Sequence, residues 1–192
     1  MRAGMLVGAL FALSGCNNWV VGDSIAFMSG RYIVANKTTH LDADPLRGAH
    51  QKGLAGLPDG WTSVLARIPD VPKDSWLVVE LGTNDLALPP AEWEQFIKDV
   101  VAKLPNDRCL AWVTPYHPER PTEAAQYETL LNKLLVAQPC RRLIHWDDVA
   151  RLHPELTNDG YHPNDKGAKA LACMIDQVLY RSCTSPYPVT TP

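Results

Sequence analysis

Three short strings in the 192-residue chain carry side chains suited to covalent acyl chemistry: Gly22-Asp23-Ser24, Gly82-Thr83-Asn84-Asp85 and Asp159-Gly160-Tyr161-His162. A serine hydroxyl is a weak nucleophile near neutral pH until a base takes its proton, and a histidine has the intrinsic pKa for that task. A carboxylate three residues before the histidine, as Asp159 is before His162, can turn back onto the other ring nitrogen and fix its tautomer. Asn84 offers a side-chain amide to an oxyanion, a kind of donor whose removal costs about 100- to 1,000-fold in rate. Each string alone also reads as ordinary capping or turn chemistry: Gly22-Asp23-Ser24 and Asn84-Asp85 as helix caps, Asp159-Gly160 as a plain turn. Their joint occurrence, each at the end of an expected element, favours chemistry.

Those elements follow from hydrophobic patterning. Apolar runs at Trp19 to Gly22, Thr39 to Ala43, Trp76 to Leu81, Cys109 to Thr114 and Leu143 to Trp146 read as strands. Several are near-continuous rather than alternating, as expected of parallel strands covered on both faces. Helical spacing marks Ala91 to Leu104, with Pro89-Pro90 before it and Pro105 behind, then Pro121 to Gln138 and Asn164 to Arg181. The alternation predicts an α/β fold, a three-layer α/β/α sandwich around a flavodoxin-like five-stranded parallel sheet. In such sheets ligands bind beyond the carboxyl ends of the strands, where the three strings fall. The Pro-rich end, Thr184 to Pro192, reads as an irregular tail, and no boundary divides residues 16–183 into two domains.

The three strings in this order resemble the sequence blocks of the SGNH, or GDSL, hydrolases, and the resemblance runs across nearly the whole chain after residue 15. It implies Ser24 as nucleophile, His162 as general base and Asp159 as the residue that orients the imidazole. It also implies an oxyanion hole from the Ser24 N–H, the Asn84 side chain and a glycine N–H after the second strand. Gly48 is placed there, ahead of Gln51 to Leu57, which resembles the start of the following helix. The family's asparagine before that glycine is replaced by Asp44-Pro45-Leu46-Arg47, and Gly60, in Gly60-Trp61-Thr62, fits an alternative Gly-x-Thr form. Tyr116 and His117 could line a cleft or simply form a turn between Pro115 and Pro118, and Asp147-Asp148 resembles an acidic position of the family without a stated role.

The amino-terminal segment reads as a targeting signal. Arg2 precedes the apolar run Ala3 to Leu13, which is too short to span a bilayer, and Leu13-Ser14-Gly15-Cys16 resembles the lipobox of bacterial lipoproteins. The resemblance implies that residues 1–15 are removed, that Cys16 is lipidated, and that the domain is attached to a membrane, periplasmic or at the cell surface; plain secretion is the other reading. In an oxidising compartment Cys109, Cys140, Cys173 and Cys183 form an even set without CxxC spacing. Cys109 and Cys140 open two runs expected to be neighbouring strands, and Cys173 and Cys183 are close in sequence, so these pairings are expected over buried free thiols.

A net charge of −3, from 18 Lys+Arg against 21 Asp+Glu, gives no basic field for nucleic acid. No HExxH, Walker or GxGxxG string occurs, and His40, His50, His145 and His153 are too scattered to suggest a metal, so no cofactor or metal is expected. The expectation is a monomeric, exported serine esterase acting on short acyl esters, O-acetylated glycans or lysolipids. The alternatives are acyl transfer to a sugar hydroxyl, and an inactive carbohydrate-binding protein of the same fold.

Overall fold

The computed structural model describes residues 17–35, 38–135, 140–181, 183, 186–187 and 189–190. The expected signal peptide and Cys16 lie outside the described residues. The strands are β1 (Asn18–Gly22), β2 (Thr39–Ala43), β3 (Trp76–Glu80), β4 (Cys109–Val113), β5 (Arg141–Ile144) and β6 (Val189–Thr190). The helices are α1 (Ser24–Ile33), α2 (Gly60–Arg67), α3 (Pro90–Lys103), α4 (Pro121–Leu135), α5 (Trp146–Leu152) and α6 (Asp165–Leu179). They form an α/β sandwich whose sheet has the order β2-β1-β3-β4-β5-β6.

The period-two pleat divides each apolar run between two cores. Val21, Leu77, Val79, Leu110 and Trp112 face α2, α3 and α4, where Val64, Trp93, Phe96 and Leu131 fill the layer. Val20, Val78, Ala111, Val113 and Ile144 face the other way, onto Ile25 and Ile33 of α1, Trp146 and Val149 of α5, and Leu171 and Met174 of α6. Both faces are covered, which is why the strands read as continuous apolar runs.

Four expectations are corrected. The sheet has six strands, not five: the last two-residue strand, in the segment expected to be irregular, pairs antiparallel with β5. The His145 ring also meets Thr190 Oγ1 at 2.8 Å. The fifth strand runs Arg141–Ile144, and Trp146 begins α5 instead of ending a strand. The helix after β2 does not start within 51–57, where only the 3₁₀ turn Leu54–Gly56 forms; α2 begins at Gly60 because the Asp59 carboxylate accepts the Thr62 N–H at 2.7 Å. Helix α6 starts one residue after Asn164, whose side chain caps the Lys166 and Gly167 amides.

The disulfides are Cys109–Cys140 and Cys173–Cys183, with Cα separations of 5.0 and 5.5 Å. The first joins the entry points of neighbouring strands β4 and β5, and the second ties the middle of α6 to the chain that follows it.

Candidate active site

Ser24 is placed by the shortest possible passage from strand to helix. Strand β1 ends at Gly22, Asp23 is the N-cap of α1, and Ser24 is that helix's first residue. A Cβ at position 22 would lie 2.4 Å from the Ala26 Cβ and 3.0 Å from the Glu80 carbonyl oxygen, so only glycine allows so tight an approach. The first amides of a helix lack intrahelical acceptors, and here three of four find others. Asp23 N–H donates to the Glu80 carbonyl (3.1 Å), Ile25 N–H to Asp23 Oδ1 (2.9 Å) and Ala26 N–H to Glu80 Oε2 (3.0 Å). Among the described residues no acceptor is found for the fourth, Ser24 N–H. A helix N-terminus with one amide left over is suited to receive a developing negative charge.

His162 comes from the loop between α5 and α6. Its Nε2 lies 2.8 Å from Ser24 Oγ, and its Nδ1 lies 2.7 Å from Asp159 Oδ2. A carboxylate can only accept, so Nδ1 carries the proton and Nε2 presents a lone pair to the Ser24 hydroxyl. Asp159 is fixed by its own turn: Oδ1 accepts the His162 N–H (2.9 Å) and the Tyr161 N–H (3.3 Å). Gly160 supplies the positive φ of 98° that the turn requires. Burial alone would raise the Asp159 pKa, but hydrogen bonds from the His162 ring and backbone and from Tyr161 outweigh it and hold the carboxyl below its ordinary value. Asn158 N–H donates to the His162 carbonyl (2.8 Å), and Thr157 and Pro163 form an antiparallel bridge that closes the loop.

Asn84 sits in the 3₁₀ turn Thr83–Asp85 directly after β3. Its Nδ2 donates to the Arg47 carbonyl at 2.8 Å and lies 3.4 Å from Asp23 Oδ2. The turn starts at Gly82, whose φ of 129° suits only glycine, and the Asp85 carbonyl is held by the Trp93 indole N–H at 2.7 Å. The Asp85 carboxylate accepts the Ala49 and His50 amides at 2.6 and 3.1 Å, which pins the β2–α2 loop to the end of β3. Burial raises the Asp85 pKa despite those two bonds.

The two glycine candidates are occupied. Gly48 N–H donates to the Gln51 carbonyl at 3.1 Å, and Gly60 N–H donates to the Gly48 carbonyl at 2.8 Å. For either to meet an anion it would first have to give up that bond, and the Asn84 amide would likewise have to exchange one of its two bonds, to the Arg47 carbonyl or to Asp23 Oδ2. The structure thus joins Ser24, His162 and Asp159 by direct contacts and holds Asn84 against Asp23, the residue before Ser24, with Gly48 in the adjoining loop.

The other polar residues divide. The Tyr161 ring lies 4.0 Å from that of His162 and 4.4 Å from that of His117, which puts His117 on the rim of the site. Asp147 instead accepts from the Thr114 hydroxyl, and Asp148 pairs with Arg151 at 2.5 Å. Among the described residues no cluster of His, Cys, Asp and Glu suited to a metal ion occurs. The sequence assigns no role to Glu80, although its carboxylate accepts the Asp23 and Ala26 amides on either side of Ser24. Its signal was a carboxylate inside the run Trp76-Leu77-Val78-Val79-Glu80-Leu81, only 1% exposed in the fold.

No protein-family model matches this sequence, and no curated protein matches it. Solved structures do share its fold. The C-terminal catalytic domain of peptidoglycan O-acetyltransferase A from Streptococcus pneumoniae, solved with a methylsulfonyl adduct, matches with a TM-score of 0.68 at 20% identity, over 92% of this chain and 98% of that one. A carbohydrate acetylesterase from Sinorhizobium meliloti matches with a TM-score of 0.57 at 15% identity, over 80% and 93% of the two chains. A psychrotrophic esterase from Pseudoalteromonas sp., inhibited by monoethylphosphonate, matches with a TM-score of 0.56 at 14% identity, over 84% and 96%.

Proposed function

We propose that this chain is a serine acyl-ester enzyme of the SGNH type, with hydrolysis as its reaction. The carrying observation is the unbroken chain of contacts from Ser24 Oγ through His162 to Asp159 at the carboxyl end of β1. His162 takes the Ser24 proton as the oxygen attacks the ester carbonyl, and Asp159 stabilises the imidazolium that forms. The Ser24 N–H and the Asn84 amide donate to the oxyanion of the tetrahedral intermediate. His162 then returns the proton to the departing alcohol, leaving Ser24 acylated. Water, deprotonated by the same imidazole, attacks the acyl-enzyme and releases the acid.

A second reading is favoured by one comparison, the fold shared with an O-acetyltransferase domain over 92% of this chain. In it a sugar hydroxyl takes the place of water in the second step, with the same four residues. The intact triad geometry supports turnover over a purely binding role.

The same reading places the protein outside the cytoplasm. Two disulfides support an oxidising compartment, and a lipid on Cys16 would anchor it. Strand β1 starts at Asn18 and runs from the anchored end of the sheet up to Ser24, about 17 Å over its five residues. An anchor at Cys16 therefore turns the catalytic face away from the bilayer. That orientation favours esters on soluble or wall-borne glycans over esters in the membrane.

The test is acetate release from p-nitrophenyl acetate and from O-acetylated glycans, with and without an acceptor sugar. Wild type is expected to release acetate and the Ser24→Ala variant to be inactive on the same substrates. Equal activity in the two proteins would overturn the reading, and acetyl groups appearing on the acceptor in place of free acetate would select transfer.

A further inference from the structure

Beneath the nucleophile lies a second pair of carboxyl groups that the acyl chemistry does not use. Asp23 is fully buried and Glu80 is 1% exposed, and the two carboxyl groups lie against each other, with Glu80 Oε2 3.3 Å from the Asp23 backbone nitrogen. No arginine or lysine contacts either carboxyl among the described hydrogen bonds and ion pairs. Two carboxylates in contact, dry and without a cation, repel each other strongly, whereas a carboxylic acid and a carboxylate attract through one shared hydrogen. The pair is also wired to the catalytic groups. Glu80 Oε2 accepts the Ala26 N–H at 3.0 Å and the Asp23 N–H at 3.3 Å, and Asp23 Oδ1 accepts the Ile25 N–H at 2.9 Å. Asp23 Oδ2 lies 3.4 Å from the Asn84 amide nitrogen.

We propose that Glu80 is a positioning residue that works in its protonated form: it donates one hydrogen to Asp23, and the joined pair caps α1 and seats Asn84 so that the Ser24 N–H and the Asn84 amide converge on the oxyanion. The inference rests on the serine acyl-ester reading. Burial, followed by the negative charge of Asp23, pushes the Glu80 carboxyl well above its ordinary pKa, in keeping with a retained proton. Asp23 takes the ionised role because hydrogen bonds from Ile25 and Glu80 partly offset its own burial. The remaining charged or titratable groups facing the pair are Asp85 after β3, His162 and Tyr161 from the α5–α6 loop and Tyr127 of α4. Loss of the Glu80 proton at alkaline pH places two anions in contact and loosens the seat.

The experiment compares Glu80→Gln and Glu80→Leu in the full chain. Glutamine can still donate to Asp23 and accept from Ala26, so E80Q is expected to keep kcat within about threefold of wild type at neutral pH and to lack the alkaline fall that wild type shows. E80L removes both contacts and is expected to lose about tenfold to 100-fold in kcat, with KM little changed, the size of effect a small misplacement of catalytic groups produces. Should E80L fail to fold, infrared spectroscopy decides: wild type at neutral pH is expected to show a buried protonated-carboxyl absorption that E80Q lacks. Absence of that band in wild type, an E80Q variant as impaired as E80L, or a folded E80L with full kcat would each overturn the proposal. Fluorophosphonate labelling of Ser24 in wild type distinguishes these failures from failure of the serine reading itself.

Discussion

The two sides of the candidate active site are built on opposite principles. On one side, Asp23, Ser24, Glu80 and Asn84 emerge from the ends of β1 and β3, where the strands are buried on both faces. On the other, Asp159 and His162 belong to the loop between α5 and α6, which is held by a bridge, a capped helix and a carboxylate folded back onto its own turn. The same residue type therefore does different work on each side. Asp159, half exposed, is kept ionised by the groups it must orient. Asp23, fully buried, has its pKa raised by desolvation to about 6 and serves the helix start and Glu80. Position relative to the sheet, more than the identity of the side chain, decides which carboxylate can meet the imidazole and which can only support.

The largest effect is expected where the two sides meet. Ser24→Ala removes the sheet-side oxygen that His162 Nε2 contacts from the loop side, and kcat for ester hydrolysis should fall by about 10⁴-fold or more in steady-state assays. Asn84→Ala tests the sheet side alone: kcat should drop about 100- to 1,000-fold while KM stays near wild type, because the amide acts on charge that exists only in the transition state. An equal loss in KM would mean that Asn84 binds the substrate rather than the oxyanion.

A subtler contrast concerns pH and stability. The folded Asp23 carboxyl binds its proton more tightly than in the unfolded chain, so stability falls as pH rises from about 4 to about 6 and this group ionises in its dry site. Asp23→Asn should therefore gain stability relative to wild type between about pH 4 and about pH 7 in thermal melts. Asp159 has the opposite sign: its folded carboxyl is more acidic than the unfolded one, so the stability it contributes is present at neutral pH and lost as pH falls through its folded pKa. Asp159→Asn should cost more at about pH 7 than near pH 3. Slopes of the same sign for the two variants would break the distinction drawn between the two carboxylates.

The smallest effect on activity is expected at the disulfides, one of which links the amino ends of β4 and β5, the end of the sheet opposite Ser24. Replacing the Cys109–Cys140 pair, separated by 31 residues, should lower stability by about 4 kcal/mol, and replacing Cys173–Cys183, separated by 10, by about 3 kcal/mol. Neither change should alter kcat of the folded protein at low temperature, which denaturant melts and rate assays on the same samples can check.

What could be read from sequence follows the same division. Asp159 and His162 interact across three residues, so their partnership is written locally, and Ser24 follows an apolar run that any parallel sheet must bury. Cys109 and Cys140 could be paired because both open runs that become adjacent strands. Glu80 could not be assigned a role, because a carboxylate in a buried strand makes sense only once Asp23 and the start of α1 are known to lie against it across the sheet. The start of α2 was misplaced for a related reason: the glycines at 48, 53 and 56 break the chain repeatedly, and it is the Asp59 cap that decides where the helix begins. Strand β6 has two residues, too few to carry an alternating pattern, and exists through its pairing with Leu143 and Ile144.

The most direct measurement of the central claim is intact-protein and peptide mass spectrometry after treatment with a fluorophosphonate. The expected result is a single adduct on Ser24 in wild type, none in Ser24→Ala, and much slower labelling in His162→Ala. Wild-type protein that stays unlabelled while hydrolysing ester, or an adduct at a residue other than Ser24, would contradict the account.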